Sequence, residues 1–257
     1  LETYHVSLDS LKRMASDKTK ALVYTHLFGN MTDCSEILEF CSQNGIAFVE
    51  DAAQSFGSRL NGLQAGALGD CSSFSFNSNK VVAGINGGGV FMTDDEELAR
   101  KARLYRRHGK DKDFSLLGYN SKMYTLNAQI ISYRLKRAEV YRERRQKIAE
   151  TYYNTLQDLP VTFQKCPQGL VNNFHKFTIR LESKDTRKRV KNALSGSIHY
   201  ERPLSTNSMY QGIAHRKDDC VNAKTVADTI VSLPVHAWLT NDEVKQVCEL
   251  VREGLNR

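Results

Sequence analysis

A chain of 257 residues, 40% of them hydrophobic, can bury a sizeable core in one large domain or two smaller ones. It contains no unbroken apolar run of membrane-spanning length and, between Leu1 and Lys12, no basic-then-apolar signal pattern, although the first residue is not Met. The net charge of +7 is uneven: residues 1–99 carry 6 Lys/Arg against 13 Asp/Glu, and residues 100–147 carry 15 against 4. That basic block lacks the aromatic interleaving or motif of a nucleic-acid reader, so no nucleic-acid or membrane partner is expected. A solvated helix face is the leading reading of the block, with attraction of a phosphorylated small substrate second. Six widely spaced cysteines make no C-x-x-C pair and read as reduced thiols of a cytoplasmic protein. No ligand spacing supports a metal site.

In chain order, residues 21–25, 46–49 and 89–92 are short apolar runs without alternation, the pattern of parallel strands buried on both faces. Between the first two, Ile37, Leu38, Phe40 and Cys41 recur at helical spacing and Gly45 supplies a stop. Strand, helix, strand in about 30 residues is a βαβ unit, so the fold class is α/β. The acids at 94–97 open a helix whose C-terminal end is basic, as the helix dipole favours. That helix is expected to end near His108-Gly109, with a polar loop over 110–122. A long helical pattern then runs from Leu126 to Leu156, read as a straight or kinked helix that bridges two domains. Residues 174–181 alternate like a strand, 186–194 are helical, and 241–255 form a closing amphipathic helix with Thr240 and Glu243 as its capping box. The expected division is a large domain over 1–130, then the bridging helix with a small α+β domain over 131–257.

The densest cluster of unusual choices lies between Phe48 and Gly89. Asp51 follows a buried apolar run, where an unpartnered acid is costly and where α/β proteins place ligands. From position alone it is equally a helix N-cap. The stretch 70–80 then sets Ser72, Ser73, Ser75, Asn77, Ser78 and Asn79 ahead of Lys80, neutral donors around one cation. Gly87, Gly88 and Gly89 permit a close backbone approach. Singly each feature is bland, since most lysines are surface lysines. Together they fit pyridoxal phosphate (PLP), which needs an amine to hold it as an imine, an acid at its pyridine nitrogen and donors for its phosphate. The lysine then doubles as a proton shuttle.

The runs 48–57, 70–80 and 87–89 resemble the DegT/DnrJ/StrS-type nucleotide-sugar aminotransferases of PLP fold type I. The resemblance extends to His26-Leu27-Phe28-Gly29, to residues 104–109 and 118–123, and to two C-terminal signatures at 199–204 and 232–236. It implies a mostly parallel large domain with a smaller α+β C-terminal domain. Lys80 is then the Schiff-base lysine, Asp51 the partner of the pyridine nitrogen, Gln54 a contact of the ring substituent and Ser75 a phosphate donor. Asn120 is implied to reach the phosphate of a neighbouring subunit in a homodimer with shared sites, and His199 and Tyr200 to lie near the donor or sugar pocket. The implied reaction is transamination of a nucleotide-linked keto-deoxysugar with glutamate as amino donor, in amino-sugar biosynthesis.

The chain departs from the family pattern in three places. Lys122 stands where Arg is usual, which loses a planar fork of donors. The connection over 194–199 is short. The family's N-terminal third, with its phosphate loop and aromatic lid, finds no counterpart. A truncated, non-catalytic or regulatory relative is therefore the alternative reading, and a sugar dehydratase of the same family is a third.

Overall fold

The computed structural model describes residues 1–110, 116–196, 198–210 and 218–256. Residues 111–115 of the expected polar loop and Ser197 of the short connection lie outside the described residues. After α1 (Leu8–Met14), the chain runs through β1 (Ala21–Thr25), α2 (Ser35–Gln43) and β2 (Ala47–Asp51). β1 and β2 pair in parallel from Ala21–Ala47 to Thr25–Asp51. This is the expected βαβ unit. Its helix ends at Asn44, whose N–H bonds back to the carbonyls of Phe40 and Cys41, and Gly45 follows at φ +63°. Tyr24, Ile37, Cys41 and Phe48 pack with Leu11 into one buried cluster on this unit.

A small hairpin, β3 (Arg59–Leu60) with β4 (Leu63–Gln64), precedes β5 (Cys71–Ser75), which pairs in parallel with β2. Next comes β6 (Gly89–Met92), giving the sheet order β1-β2-β5-β6. Two expectations need correction here. β6 runs antiparallel to β5, and all four of its residues are exposed, Met92 by 48%. A four-residue apolar run shows neither direction nor burial, because both depend on which neighbour it meets. β1 is likewise not buried on both faces, since Val23 is 64% exposed.

Asp95 caps α3 (Glu96–Arg106) by accepting the N–H groups of Glu97 and Leu98. The long helical pattern is divided by a break into α4 (Thr125–Leu135) and α5 (Ala138–Leu156), the kink that its length allowed. The break falls at Lys136 and Arg137, where Arg137 leaves helical geometry at φ −114°, ψ 4° and lays its guanidinium over the Tyr133 ring at 4.7 Å. No Gly or Pro marks the spot, so hydrophobic periodicity runs straight through it.

The remainder comprises β7 (Thr162–Phe163), β8 (Leu170–Val171), β9 (Phe177–Arg180), α6 (Lys184–Leu194), α7 (Val221–Thr229), β10 (Ile230–Leu233) and α8 (Asn241–Asn256). β9 sits between β10 and β7, antiparallel to both. Ile148, Tyr152 and Leu156 of α5 pack with Ile179, Val231 and Val251 into a core in which none of the six is more than 1% exposed. Each such side chain contributes roughly 1.5–3 kcal/mol by leaving water. Thr240 and Glu243 form the expected reciprocal capping box at the start of α8. A third small sheet joins the halves of the chain, because β8 pairs with β3.

Candidate active site

The site forms at the C-terminal ends of β1, β2 and β5. Parallel pairing through Thr25–Asp51 and Asp51–Ser73 brings these ends level. Asp51 Oδ1 accepts the Ala53 N–H at 3.1 Å, and Oδ2 accepts the Thr25 hydroxyl at 3.4 Å. Asp51 is therefore an end-of-strand carboxylate braced by its own turn. Lys80 lies in the turn after β5, its N–H donating to Asn77 O at 3.0 Å. It is partly buried, and burial pulls its ammonium below the ordinary lysine range while the nearby Asp51 carboxylate opposes that shift. Amine and acid thus share one neighbourhood.

The glycine-rich loop that carries Lys80 is pinned from α4. Asn127 accepts the Ile85 N–H at 2.9 Å and donates to Gly87 O at 2.7 Å, and Arg134 donates to Ala83 O at 2.6 Å. A side chain at Gly84 would collide with Asn127, so the close approach needs glycine there. Ser75 closes β5, its hydroxyl oxygen accepting the Asn77 N–H at 3.3 Å.

Gln54 is buried and engaged at both ends. Its Oε1 accepts the Phe28 N–H at 2.8 Å, and its Nε2 donates to Tyr200 Oη at 2.8 Å. Tyr200 also stacks on the Phe28 ring, centroids 6.4 Å apart. His199 Nδ1 lies 3.2 Å from Ser232 Oγ, so the two C-terminal signatures meet in space. The structure thus brings Gln54 to Tyr200 and sets Asp51 near Lys80, with Ser75 at the end of the neighbouring strand β5 and His199 against Ser232. Asn120 is exposed on the loop after α3 and bridged through its backbone to Arg107. A concavity of about 960 Å³ between β6 and α3, lined by Phe74, Val90, Met92 and Arg106 among others, does not contain Lys80.

Sequence reasoning missed three contributors. Glu50 is fully buried, accepting N–H bonds from Gly66, Leu68 and Gly69 at 2.6–3.0 Å and pairing with His26 Nε2 at 2.7 Å. Burial alone would raise its carboxyl, but the His26 bond and the Gly66 and Leu68 N–H groups outweigh this and hold it below the usual value. Asn173 is also fully buried. Its Nδ2 donates to the carbonyls of Gln54 and Phe56, and its Oδ1 accepts the His175 N–H. Gly29, at φ +95°, makes room for it, since any side chain there would strike the Asn173 amide. Lys176 donates its N–H to Phe28 O at 3.3 Å, so the segment leading into β9 abuts the turn that follows β1. The available signal was the polar run Asn172-Asn173 and His175-Lys176 immediately before an apolar strand, an unusual density for a buried segment.

With this geometry in place, the comparisons are direct. The chain belongs to the DegT/DnrJ/EryC1/StrS aminotransferase family, whose profile matches residues 1–252. It is 30% identical to the pleiotropic regulatory protein of Geobacillus stearothermophilus over 98% of this chain and 69% of that one. It is 29% identical, with the same coverage of each, to the UDP-N-acetyl-3-dehydro-alpha-D-glucosamine 3-aminotransferase of Acidithiobacillus ferrooxidans. The fold matches the crystal structure of S. venezuelae DesV, solved in complex with a ketimine intermediate, at a TM-score of 0.91 and 27% identity, covering 100% of this chain and 70% of that one.

The family is PLP-dependent, and the residues present fit that cofactor. They supply a partly desolvated amine, a carboxylate at the end of the adjacent strand and a strand-end hydroxyl.

Proposed function

We propose that this protein moves an amino group from glutamate to the keto group of a nucleotide-linked deoxysugar, with Lys80 and Asp51 as its catalytic pair. The observation that carries the reading is the half-buried Lys80 beside Asp51 at the ends of parallel strands, in a chain of an aminotransferase family. Names of relatives such as the A. ferrooxidans 3-aminotransferase support the sugar-nucleotide substrate.

When bound, PLP supplies a cationic ring that withdraws electrons from the carbon bearing the amine. Lys80 would anchor the cofactor through Nζ and, once released, take and return the proton on that carbon. Asp51 would hold the proton on the ring nitrogen, a task for which its bracing by Ala53 and Thr25 fixes the carboxylate in advance. Ser75 would donate to the phosphate, and Gln54, clamped by Phe28 and Tyr200, would set the lateral position of the ring. His199 and Tyr200 would border the substrate. In a cytoplasmic homodimer, Asn120 would serve the neighbouring subunit's phosphate.

A regulatory role is the second reading, favoured by the likeness to the G. stearothermophilus regulatory protein. Borohydride treatment of PLP-loaded protein followed by peptide mass analysis separates the two. The catalytic reading expects the cofactor mass on the peptide containing Lys80, none in Lys80→Ala, and conversion of glutamate to 2-oxoglutarate by the wild type. Cofactor fixed on another lysine, or no glutamate conversion with a nucleotide-linked keto-sugar panel, would overturn it.

A further inference from the structure

The proposed catalytic pair leaves a second group of charges unused. Lys176 immediately precedes β9 and is half-buried; its backbone N–H is held by Phe28 O at 3.3 Å, and its ammonium is near enough to Arg145 and Lys80 to feel both charges. Arg145 of α5, only 4% exposed, donates one Nη to Phe174 O at 2.9 Å, and its Nε has no hydrogen-bond partner among the described residues. His175, also 4% exposed, has its Nδ1 likewise unpartnered. Among the described residues, no ion pair involves Lys80, Arg145 or Lys176. The crowding registers on His175 and Lys176. Burial and then repulsion from Lys80, Lys176, Arg145 and His199 push His175 down to about 2. Burial and then Arg145 and Lys80 lower Lys176, and burial lowers Arg145 to about 10.

Lys80 has Asp51 beside it, but Lys176 and Arg145 have no carboxylate partner among the described residues; buried cations so placed are costly, and an anion seated between them offsets that cost. The position of Lys80 decides which anion. In an amino-acid donor the α-carboxylate is bonded to the same carbon as the amine that must replace Lys80, so it has to sit beside that lysine. The diphosphate of a sugar nucleotide is separated from a ring keto carbon by the anomeric centre and the ring. We infer that Lys176, backed by Arg145, is the seat of the donor's α-carboxylate. This assignment rests on the aminotransferase reading above.

The test uses PLP-loaded protein and two probes: 2-methylglutamate, which keeps the α-carboxylate but has no α-proton to lose, and 4-aminobutyrate, which lacks that carboxylate. Calorimetric titration should show Lys176→Met binding 2-methylglutamate about 10- to 100-fold more weakly than wild type, the range for loss of one charge-assisted hydrogen bond. Lys176→Arg should stay within a few-fold, 4-aminobutyrate should be indifferent to both changes, and PLP uptake followed by fluorescence should not move. Wild-type affinity for 2-methylglutamate in Lys176→Met overturns the seat, as does equal loss in the Met and Arg variants together with loss of PLP uptake. The outcome is separate from that of the function itself, because the probe binds without turnover, whereas the function fails if wild type yields no 2-oxoglutarate from glutamate.

Discussion

Replacing Glu50 by Ala should destabilise the protein by about 3–5 kcal/mol, the range for removing one partner of a buried charged cluster. Glu50 is fully buried and receives four hydrogen bonds, three from the backbone turn at 66–69 and one from His26. The substitution leaves those donors in a dry interior, at roughly 1–3 kcal/mol for each that water cannot reach. A loss of this size is a large share of the ~5–15 kcal/mol typical of whole proteins, and at ~2–4 °C per kcal/mol lowers the melting temperature by roughly 10 °C. Glu50→Gln keeps one acceptor oxygen but turns an amide N–H₂ towards donors, so it should lose about half as much. Urea unfolding followed by far-ultraviolet circular dichroism measures both. The sign with pH is fixed by the depressed carboxyl: its stabilisation is present above the ordinary carboxylate pKa and is lost as pH falls through the lower folded value. Glu50→Ala should therefore have a flatter acid limb than wild type. A change below about 1 kcal/mol would refute the reasoning, since that is the worth of a single ordinary hydrogen bond.

Other outcomes follow from the same geometry. Asp51→Asn should still attach PLP at Lys80 but reduce single-turnover glutamate conversion by about 10²–10⁴-fold, the usual worth of a positioned acid or base; near-normal turnover would remove Asp51 from its assigned role. His175 is neutral in the folded state, with a pKa of about 2, whereas the unfolded histidine takes up a proton below about 6.5. Its contribution is thus intact above pH 6.5 and falls by about 1.4 kcal/mol per pH unit below it. Wild type should lose stability between pH 6.5 and 5 more steeply than His175→Phe, and parallel denaturation curves would count against this. Thr240→Ala removes the capping box of α8 and should cost about 1 kcal/mol in chemical denaturation, without affecting PLP uptake.

The legible parts of the molecule were those governed by local rules. Residues 21–51 announced a βαβ unit because strand, helical face and stop signal all lie within one stretch of chain. The acids at 94–97 and the Thr240–Glu243 pair announced helix starts because dipole and capping effects act within one turn. Lys80 and Asp51 were legible as candidates because their residue types are expensive where they stand. The direction of β6 was not legible, since it depends on an encounter with β5 across a glycine-rich loop. The break at Lys136 was hidden because no residue there forbids a helix. Asn173 and Lys176 were missed for a related reason. Polar residues ahead of a strand read as a turn, and only the folded chain shows them pressed against residues 28, 54 and 56, more than a hundred positions away.

Asn173 also limits how parts of this chain can be exchanged with those of its relatives. The natural place to cut is the break between α4 and α5, where two helices meet without a shared backbone bond ladder. A chimaera joined there would inherit its Gln54 and Phe56 carbonyls from one parent and the amide that satisfies them from the other. It would also set Gly29 of one parent against the side chain of the second, in a space with no tolerance. The two ends of the protein are therefore not interchangeable modules. Recombination that keeps residues 26–30, 54–58 and 172–176 from a single parent preserves the junction; recombination that separates them breaks the scaffold around Gln54 and Phe28.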